Sequence, residues 1–229
     1  MTRLVHYPFC PRSRAIRLAL AELGHDAELS EEHPWGWRAE LLALNPAGEL
    51  PILLFPGAAP VSGVYAISEL LDEMELARTG DTDGLFPGDA FARAESRRLV
   101  DWFLYKIDRD VTQVILDAKV ASRFDAARAQ SPDAEALRAA RHNLRYHLRY
   151  LGHLTQSGDW LAGARLSFAD LVAGAHVSLL DYFGEIDWDA HPAAKSWYMR
   201  LKSRPAFRSL LADRLAGMPP SRSYVDLDF

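Results

Sequence analysis

The stretch "YPFCPRSR", residues 7–14, contains the only cysteine of the 229-residue chain, Cys10. It lies where a short apolar run, Arg3 to Val5, gives way to a helical pattern. Pro11 stands just inside the predicted start of this helix, and Gly24 marks its end. The junction therefore predicts a strand followed by a helix, with a thiol at the turn between them.

Cys10 is the candidate nucleophile of the chain. A thiol at a helix N-terminus, with Arg12 and Arg14 nearby, is expected to have a lowered pKa and to be partly thiolate at neutral pH. The alternative is a half-buried structural thiol at the helix cap. We favour this alternative because of the substitution at Gly63 and Val64 described below.

Composition limits the possible functions. With 49% hydrophobic and 25% charged residues, the chain is typical of a globular protein. A net charge of −5 argues against a nucleic-acid binder. The single cysteine excludes an internal disulfide, and the sequence has neither a signal-peptide layout nor an apolar run of the ~20 residues that a membrane span needs. The eight histidines lack metal-ligand spacing and no Walker loop is present, so we expect a cytoplasmic protein without metal, nucleotide or membrane insertion.

The pattern of apolar residues divides the chain into two parts. The first 80 or so residues mix short β-like runs, "DAEL" at 26–29 and "PILLF" at 51–55, with two helices. After a Gly- and Asp-rich stretch, the pattern from residue 90 to about 215 is almost entirely helical. We predict an α/β domain at 1–78, a linker at 79–89, an all-helical domain at 90–218 and a C-terminal tail at 219–229.

One helix of the second part is expected to be buried and central. The run "SFADLVAGAHVSLLDYF", residues 167–183, is apolar almost all round. Ser167 and Asp170 have capping-box spacing, and Leu166 and Leu171 are placed for a hydrophobic staple.

Four local motifs in this order resemble the glutathione S-transferase superfamily. They are "YPFCPRSR", "NPAGELPIL" at 45–53, "LSFADLVAG" at 166–174 and "HPAAKSWYMRLKSRPAF" at 191–207. The resemblance implies a thioredoxin-like α/β domain followed by an all-α domain, with a cis peptide before Pro51. It also implies that Tyr7 is a core residue, because His6 occupies the position of the thiolate-stabilising tyrosine of some transferases.

The resemblance also implies where glutathione would bind. In the family, the backbone beside the cis-proline, here Leu50, pairs with the tripeptide, and an acidic residue followed by Ser or Thr binds its γ-glutamyl group. Gly63 and Val64 stand at that pair, and the spacing of Ser62 and Ser68 is wrong for it. Each lost hydrogen bond to a charged group costs roughly 1.5–3 kcal/mol. We therefore interpret Cys10, Leu50, Pro51, Gly63 and Val64 as a vestigial glutathione site without catalytic residues.

Three features are candidates for contacts with a partner protein. "HPWGWR" places Trp35 and Trp37 in a broken loop, with Trp37 and Arg38 the better placed for binding. Arginines recur on one helix face, which is either a solvated face or a docking surface for an acidic partner; they are Arg138, Arg141, Arg145 and Arg149. The tail is predicted to be a strand-like ribbon with Val225, Leu227 and Phe229 on one face. It either packs across the helical domain or is a recognition arm, with Tyr224, Asp226 and Phe229 as the candidate contacts.

The whole-chain layout resembles the non-catalytic, FtsZ-binding members of this superfamily that regulate cell division in α-proteobacteria. That resemblance implies a homodimer without cofactor, recruited to the division site, which binds FtsZ filaments, regulates their curvature or bundling, and links them to the septal cell-wall synthesis machinery. The alternative is an enzyme, a cysteine-type glutathione transferase or thiol-disulfide reductase that uses Cys10 and binds glutathione.

Overall fold

The computed structural model describes residues 1–80, 84–121, 133–156 and 158–227. The chain opens with a four-stranded sheet in the order β2-β1-β3-β4. The strands are β1 (Arg3–His6), β2 (Glu28–Glu31), β3 (Ile52–Leu54) and β4 (Val61–Ser62). β1 pairs parallel with β2 and antiparallel with β3, and β4 adds antiparallel to β3. The mixed sheet confirms the predicted thioredoxin-like class, although β4 was not predicted.

Three helices accompany the sheet: α1 (Pro11–Glu22), α2 (Ala39–Leu44) and α3 (Val64–Thr79). α1 begins at the predicted Pro11, with Cys10 at its N-cap. It ends before Gly24, whose positive φ of 68° allows the chain to turn. α3 ends at Gly80, and the next helix is N-capped by Asp89, whose carboxylate accepts from two backbone N–H groups. Residues 81–83 of the predicted linker lie outside the described residues, and the domain bounds stay a prediction.

The second part is helical, as predicted. A continuous helical run comprises α4 (Ala90–Asp101), a π-helical stretch (Trp102–Thr112), α5 (Gln113–Leu116) and a second π-helical stretch (Asp117–Ala121). Then follow α6 (Ala134–Leu154), α7 (Phe168–Tyr182), α8 (Pro192–Lys202), α9 (Arg208–Leu211) and α10 (Arg222–Val225). No helix within the described ranges combines the length and apolarity needed to cross a membrane.

α7 is the centre of the helical part. Every one of its residues is buried, and its N-terminus carries the predicted capping box: the Asp170 carboxylate accepts from the Ser167 backbone N–H at 3.0 Å. The same carboxylate accepts from Trp197 on α8 at 2.9 Å. Gly174 allows α8 to approach, because a Cβ at this position would lie 2.2 Å from a methyl carbon of Leu201. α7 is therefore capped by its own side chains and packs closely against α8.

α1 packs along α7 and joins the two parts of the chain. Arg14, fully buried on α1, donates to the Pro8 carbonyl and to the Ser178 hydroxyl, both at 2.7 Å. It also donates to Asp213 at 3.2 Å and to the Tyr224 hydroxyl at 3.3 Å. This Arg14 cluster connects the turn before α1, the central helix and the C-terminal segment.

The tail departs from its predicted conformation. Ser221 caps the short helix α10, and Tyr224 is fully buried, with its ring edge-on to Tyr182 at 5.0 Å between centroids. Val225 and Leu227, predicted to share one face of a ribbon with Phe229, are about half exposed. The predicted strand-like ribbon is therefore wrong. The tail forms a capped helical turn, whose backbone hydrogen bonds and buried Tyr224 stabilise it more than an unpaired strand would.

Candidate functional site

A cleft of about 420 Å³ lies between the two parts of the chain. The first part contributes Cys10, Arg12, Trp37 and Leu50 to its walls, and the π-helical stretch contributes Asp108 on the opposite side. A cleft of this volume suits a small ligand or part of a partner's surface. Of the five residues predicted as a vestigial glutathione site, Cys10 and Leu50 line this cleft.

The electrostatics of Cys10 differ from the prediction. Burial raises the pKa of the Cys10 thiol, and hydrogen bonds from Ser13 and the charge of Arg12 oppose this only in part. The expected contribution of Arg14 is missing, because its guanidinium is turned into the core between the two parts. The predicted lowered pKa is therefore wrong, and Cys10 is a partly buried, predominantly protonated thiol at neutral pH.

Arg12 instead crosses the cleft. Its guanidinium lies 3.5 Å from a carboxylate oxygen of Glu49 and 3.7 Å from one of Asp108. Asp108 is buried and also accepts from Gln113 at 3.1 Å. The sequence did not indicate this bridge, because only the fold brings residues 12 and 108 together.

The predicted cis peptide is present between Leu50 and Pro51, and Leu50 is buried against the cleft. The Asn45 side chain shapes the preceding loop, since its amide donates to the Glu49 carbonyl at 2.9 Å and its oxygen accepts from the Ala47 N–H at 3.2 Å. The cis peptide is therefore confirmed, and the Leu50 backbone lies at the cleft, where the family resemblance predicts it.

The rest of the predicted glutathione site, at Gly63 and Val64, has no polar side chain. Gly63 is the N-cap of α3 with a φ of 90°, a conformation that favours glycine, and Val64 is buried. Ser68 is also buried, and its hydroxyl donates to the Tyr65 carbonyl at 3.1 Å. Neither Gly63 nor Val64 carries a carboxylate or hydroxyl, so their side chains offer a γ-glutamyl group nothing to bind.

The two tryptophans take different roles. Trp35 packs edge-on against Tyr7, with centroids 5.0 Å apart, and Tyr7 is a core residue, as predicted. Trp37 is 64% exposed at the rim of the cleft, with its ring against Gly48. Its φ of 44° is unusual for a residue with a side chain. Strain of this kind concentrates at functional positions, and Trp37 is the exposed aromatic of this site.

The arginines predicted to contact a partner lie in two places, beside Trp37 and along α6. Arg38 is exposed beside Trp37 and lies 3.4 Å from both Glu32 and Glu40. The arginines predicted on one face are all exposed along α6; they are Arg138, Arg141, Arg145 and Arg149. Of these, Arg141 donates to Glu185 at 2.8 Å.

The predicted contact residues of the tail differ in how deeply they are buried. Tyr224 is inside the protein, so the prediction that it contacts a partner is wrong. Asp226 is half-buried, and its backbone carbonyl accepts from the buried Lys202. Phe229 lies outside the described residues. Of the tail candidates the structure describes, Asp226 stays closest to the surface.

Comparison with known proteins identifies the family. Residues 9–74 match the model of the glutathione S-transferase N-terminal domain, and residues 101–205 match that of the C-terminal domain. The chain belongs to the glutathione S-transferase family. Within the family it is 42% identical to "FtsZ-localized protein A" of Caulobacter vibrioides over 226 residues, which cover 99% of this chain and 97% of that protein.

Two solved structures of the family match over essentially the whole chain. FzlA from C. crescentus has a TM-score of 0.92 at 42% identity, covering 100% of this chain and 99% of that one. A glutathione S-transferase from Sinorhizobium meliloti 1021 has a TM-score of 0.94 at 46% identity, covering 100% of both chains. Similar relatives in this family thus have names of two kinds, one that refers to FtsZ and one that refers to glutathione S-transferase.

The described residues include no group of three or more His, Cys, Asp or Glu side chains arranged for a metal ion. The sequence did not predict the Arg14 cluster, because Arg14 was expected to lie near the Cys10 thiol and to lower its pKa. The spacing of the residues could have indicated it, because Arg14 and Arg17 lie on the same face of the helix as the apolar Leu18.

Proposed function

We propose that this protein is a non-catalytic glutathione S-transferase family member that binds FtsZ filaments in the cytoplasm at the division site. The observation that carries the proposal is the 42% identity to FtsZ-localized protein A over 99% of the chain. Regulation of filament curvature or bundling, and a link to the septal cell-wall synthesis machinery, are the finer parts of the same proposal. A homodimer would offer two filament-binding surfaces and would favour bundling through avidity.

The site supports a non-catalytic role. Cys10 has a raised pKa, and Gly63 and Val64 provide no side chain for the γ-glutamyl group. Losing two hydrogen bonds to a charged group, at roughly 1.5–3 kcal/mol each, weakens glutathione binding by several powers of ten. The vestigial site therefore retains a backbone frame without its main polar contacts.

The alternative function is a cysteine-type glutathione transferase or thiol-disulfide reductase. It is favoured by the 46% identity to the Sinorhizobium meliloti glutathione S-transferase and by the cis peptide before Pro51. In this alternative, Cys10 forms a mixed disulfide with glutathione: its thiolate attacks the sulfur of oxidised glutathione, and one reduced glutathione leaves.

Calorimetric titration with glutathione separates the two functions. We expect no binding heat at millimolar glutathione, no retention on glutathione resin, and FtsZ pelleting by Cys10→Ser equal to that of the wild type. Millimolar or tighter binding, together with a thiol-transfer activity that Cys10→Ser abolishes, would establish the enzyme and contradict the non-catalytic proposal.

Trp37 and Arg38 are our proposed contacts with FtsZ at the rim of the cleft, and Arg141, Arg145 and Arg149, exposed along α6, are a second proposed contact patch. Trp37 supports this assignment because a 64% exposed indole in a strained backbone conformation is costly unless a partner covers it. Asp226 is our proposed second contact, on the tail.

Trp37→Ala is expected to reduce co-sedimentation with FtsZ filaments. A tryptophan at the centre of an interface contributes about 2 kcal/mol or more, so the apparent Kd should rise about 30-fold or more. Phe91→Ala is the matched control, because Phe91 is 87% exposed at the start of α4, away from the cleft. Equal pelleting of wild type and Trp37→Ala would place the interface elsewhere, and failure of the wild type to pellet would contradict the proposed function itself.

A further inference from the structure

A groove of about 550 Å³ runs between α6 and the segment that links α7 to α8. Leu144, Leu148 and Phe183 form an apolar floor, and Ile186 is half-buried along one wall. Cys10 and Trp37 line the other cleft, so this groove is a separate concave surface. Its volume is that of a ligand site that holds a few side chains.

Positive charge surrounds the apolar floor. The Glu185 carboxylate is almost fully buried, and it lies 2.8 Å from both Lys119 and Arg141. Two cations therefore face one carboxylate. Arg145 adds a third cation to the rim and Asp187 adds a second anion, which leaves the groove with a positive surplus in a protein whose net charge is −5.

Arg145 and Arg149 extend this surplus along α6. Both are exposed, and the Arg145 guanidinium lies 3.2 Å from a nitrogen of His142 rather than against a carboxylate. Their charge reaches the groove: burial lowers the pKa of His191 on the rim, Asp187 opposes this, and Arg149 and Arg145 lower it further. The rim therefore favours anions at the edge of an apolar floor.

We propose that this groove binds an extended acidic peptide segment of the partner protein, with apolar side chains on the floor and carboxylates at Arg145 and Arg149. This inference rests on the proposed function, because it assigns the segment to the partner that the protein binds. Charge complementarity selects an acidic segment, and the concave apolar floor selects inserted side chains over a flat folded surface.

Fluorescence anisotropy with a labelled seven-residue peptide, Asp-Glu-Leu-Asp-Phe-Glu-Asp, tests the groove directly. We expect the full-length protein to bind it with a Kd that rises with salt concentration. One comparison peptide carries Ser in place of Leu and Phe, and another carries Asn and Gln in place of the acids. Each is expected to bind at least tenfold more weakly, and equal binding of either one would overturn the proposal.

The protein variants supply the second arm. Arg145→Glu/Arg149→Glu is expected to weaken peptide binding at least tenfold, whereas Arg208→Glu, an exposed reversal on α9, leaves it unchanged. The pKa of His191, followed by NMR, should rise when the peptide binds, because carboxylates then offset the two arginines. Unchanged affinity in the double variant, or an unchanged His191 titration, would overturn the proposal.

FtsZ co-sedimentation, measured separately, distinguishes the two levels of inference. If wild-type protein pellets with FtsZ but binds none of the peptides, the groove proposal fails and the proposed function stands. If it binds the acidic peptide through Arg145 and Arg149 but does not pellet with FtsZ, the proposed function fails and the assignment of the groove to FtsZ fails with it.

Discussion

Replacing Arg14 by Met is expected to lower the free energy of unfolding by about 3 kcal/mol. Arg14 is fully buried and donates to Pro8, Ser178, Asp213 and Tyr224. Met keeps a similar volume, so the loss comes from buried polar groups that no longer have their donor, which costs about 3–5 kcal/mol for a buried ion pair. We place the effect at the lower end of this range.

The reason is that Asp213 keeps a second cation. Arg17 donates to its two carboxylate oxygens at 2.8 and 3.1 Å, so the carboxylate stays paired in Arg14→Met. Thermal unfolding should show a fall in Tm of about 6–12 °C for a chain of this size. Arg78→Met is the matched control, because Arg78 makes a similar two-bond contact with Glu75 on the protein surface, and its Tm should equal that of the wild type.

The loss of stability in Arg14→Met should also be visible locally, in hydrogen exchange. Tyr224 connects α10 to the cluster and also donates to the Leu210 carbonyl. Hydrogen exchange in Arg14→Met should therefore increase first at α10 and at the turn that holds Pro8. Wild-type Tm and wild-type exchange in the variant would mean that the cluster does not hold the tail in place.

The elements that the sequence predicted share one property: each is specified by neighbouring residues. Pro11 and Gly24 bound α1, and the Ser167–Asp170 box begins α7, because caps and helix breakers act within a few residues of one another. The cis peptide before Pro51 was also predictable, since the motif around it is contiguous in sequence. Strands β1 and β3 carried enough apolar residues to be recognised for the same reason.

The errors arose where distant residues decide the outcome. Arg14 and Tyr224 are separated by 210 positions, and neither looks like a core residue in its own segment. The tail pattern favoured a ribbon because alternation was the only local signal, whereas the buried Lys202 donates to the carbonyls of Ser223 and Asp226 and holds a helical turn. The pKa of Cys10 was misjudged for a related reason, since burial depends on packing that no local pattern reveals.

Acidification is expected to destabilise the protein strongly, because three buried histidines must stay neutral in the folded state. Burial lowers the pKa of His6 and of His147 to about 4 each, and that of His176 to about 3. The Arg17 charge adds to this at His6, and Arg12 and His147 add to it at His176. The Trp102 indole N–H donates to a His147 nitrogen at 3.2 Å, which suits a neutral ring.

The direction follows from proton binding in the two states. Below pH 6.5, the unfolded histidines take up protons that the folded ones do not, so stability falls with pH until the folded pKa is reached. At pH 4.5, two pH units below the unfolded value, the loss is about 2.7 kcal/mol for each histidine. The buried carboxyl groups whose pKa is raised act in the opposite direction; they are Asp108, Asp170 and Asp181.

A histidine variant isolates the effect from those carboxyl groups. His176 lies 2.9 Å from the Thr112 hydroxyl, and His176→Gln keeps a polar side chain there without a group that titrates between pH 7 and 4.5. Urea unfolding should show that this variant loses about 2–3 kcal/mol less than the wild type over that range, whatever its stability at pH 7. His147→Gln should behave likewise, and His142→Gln, on the exposed face of α6, should follow the wild type. Parallel pH profiles for all four proteins would contradict this account, because each buried histidine would then be titrating as it does in the unfolded chain.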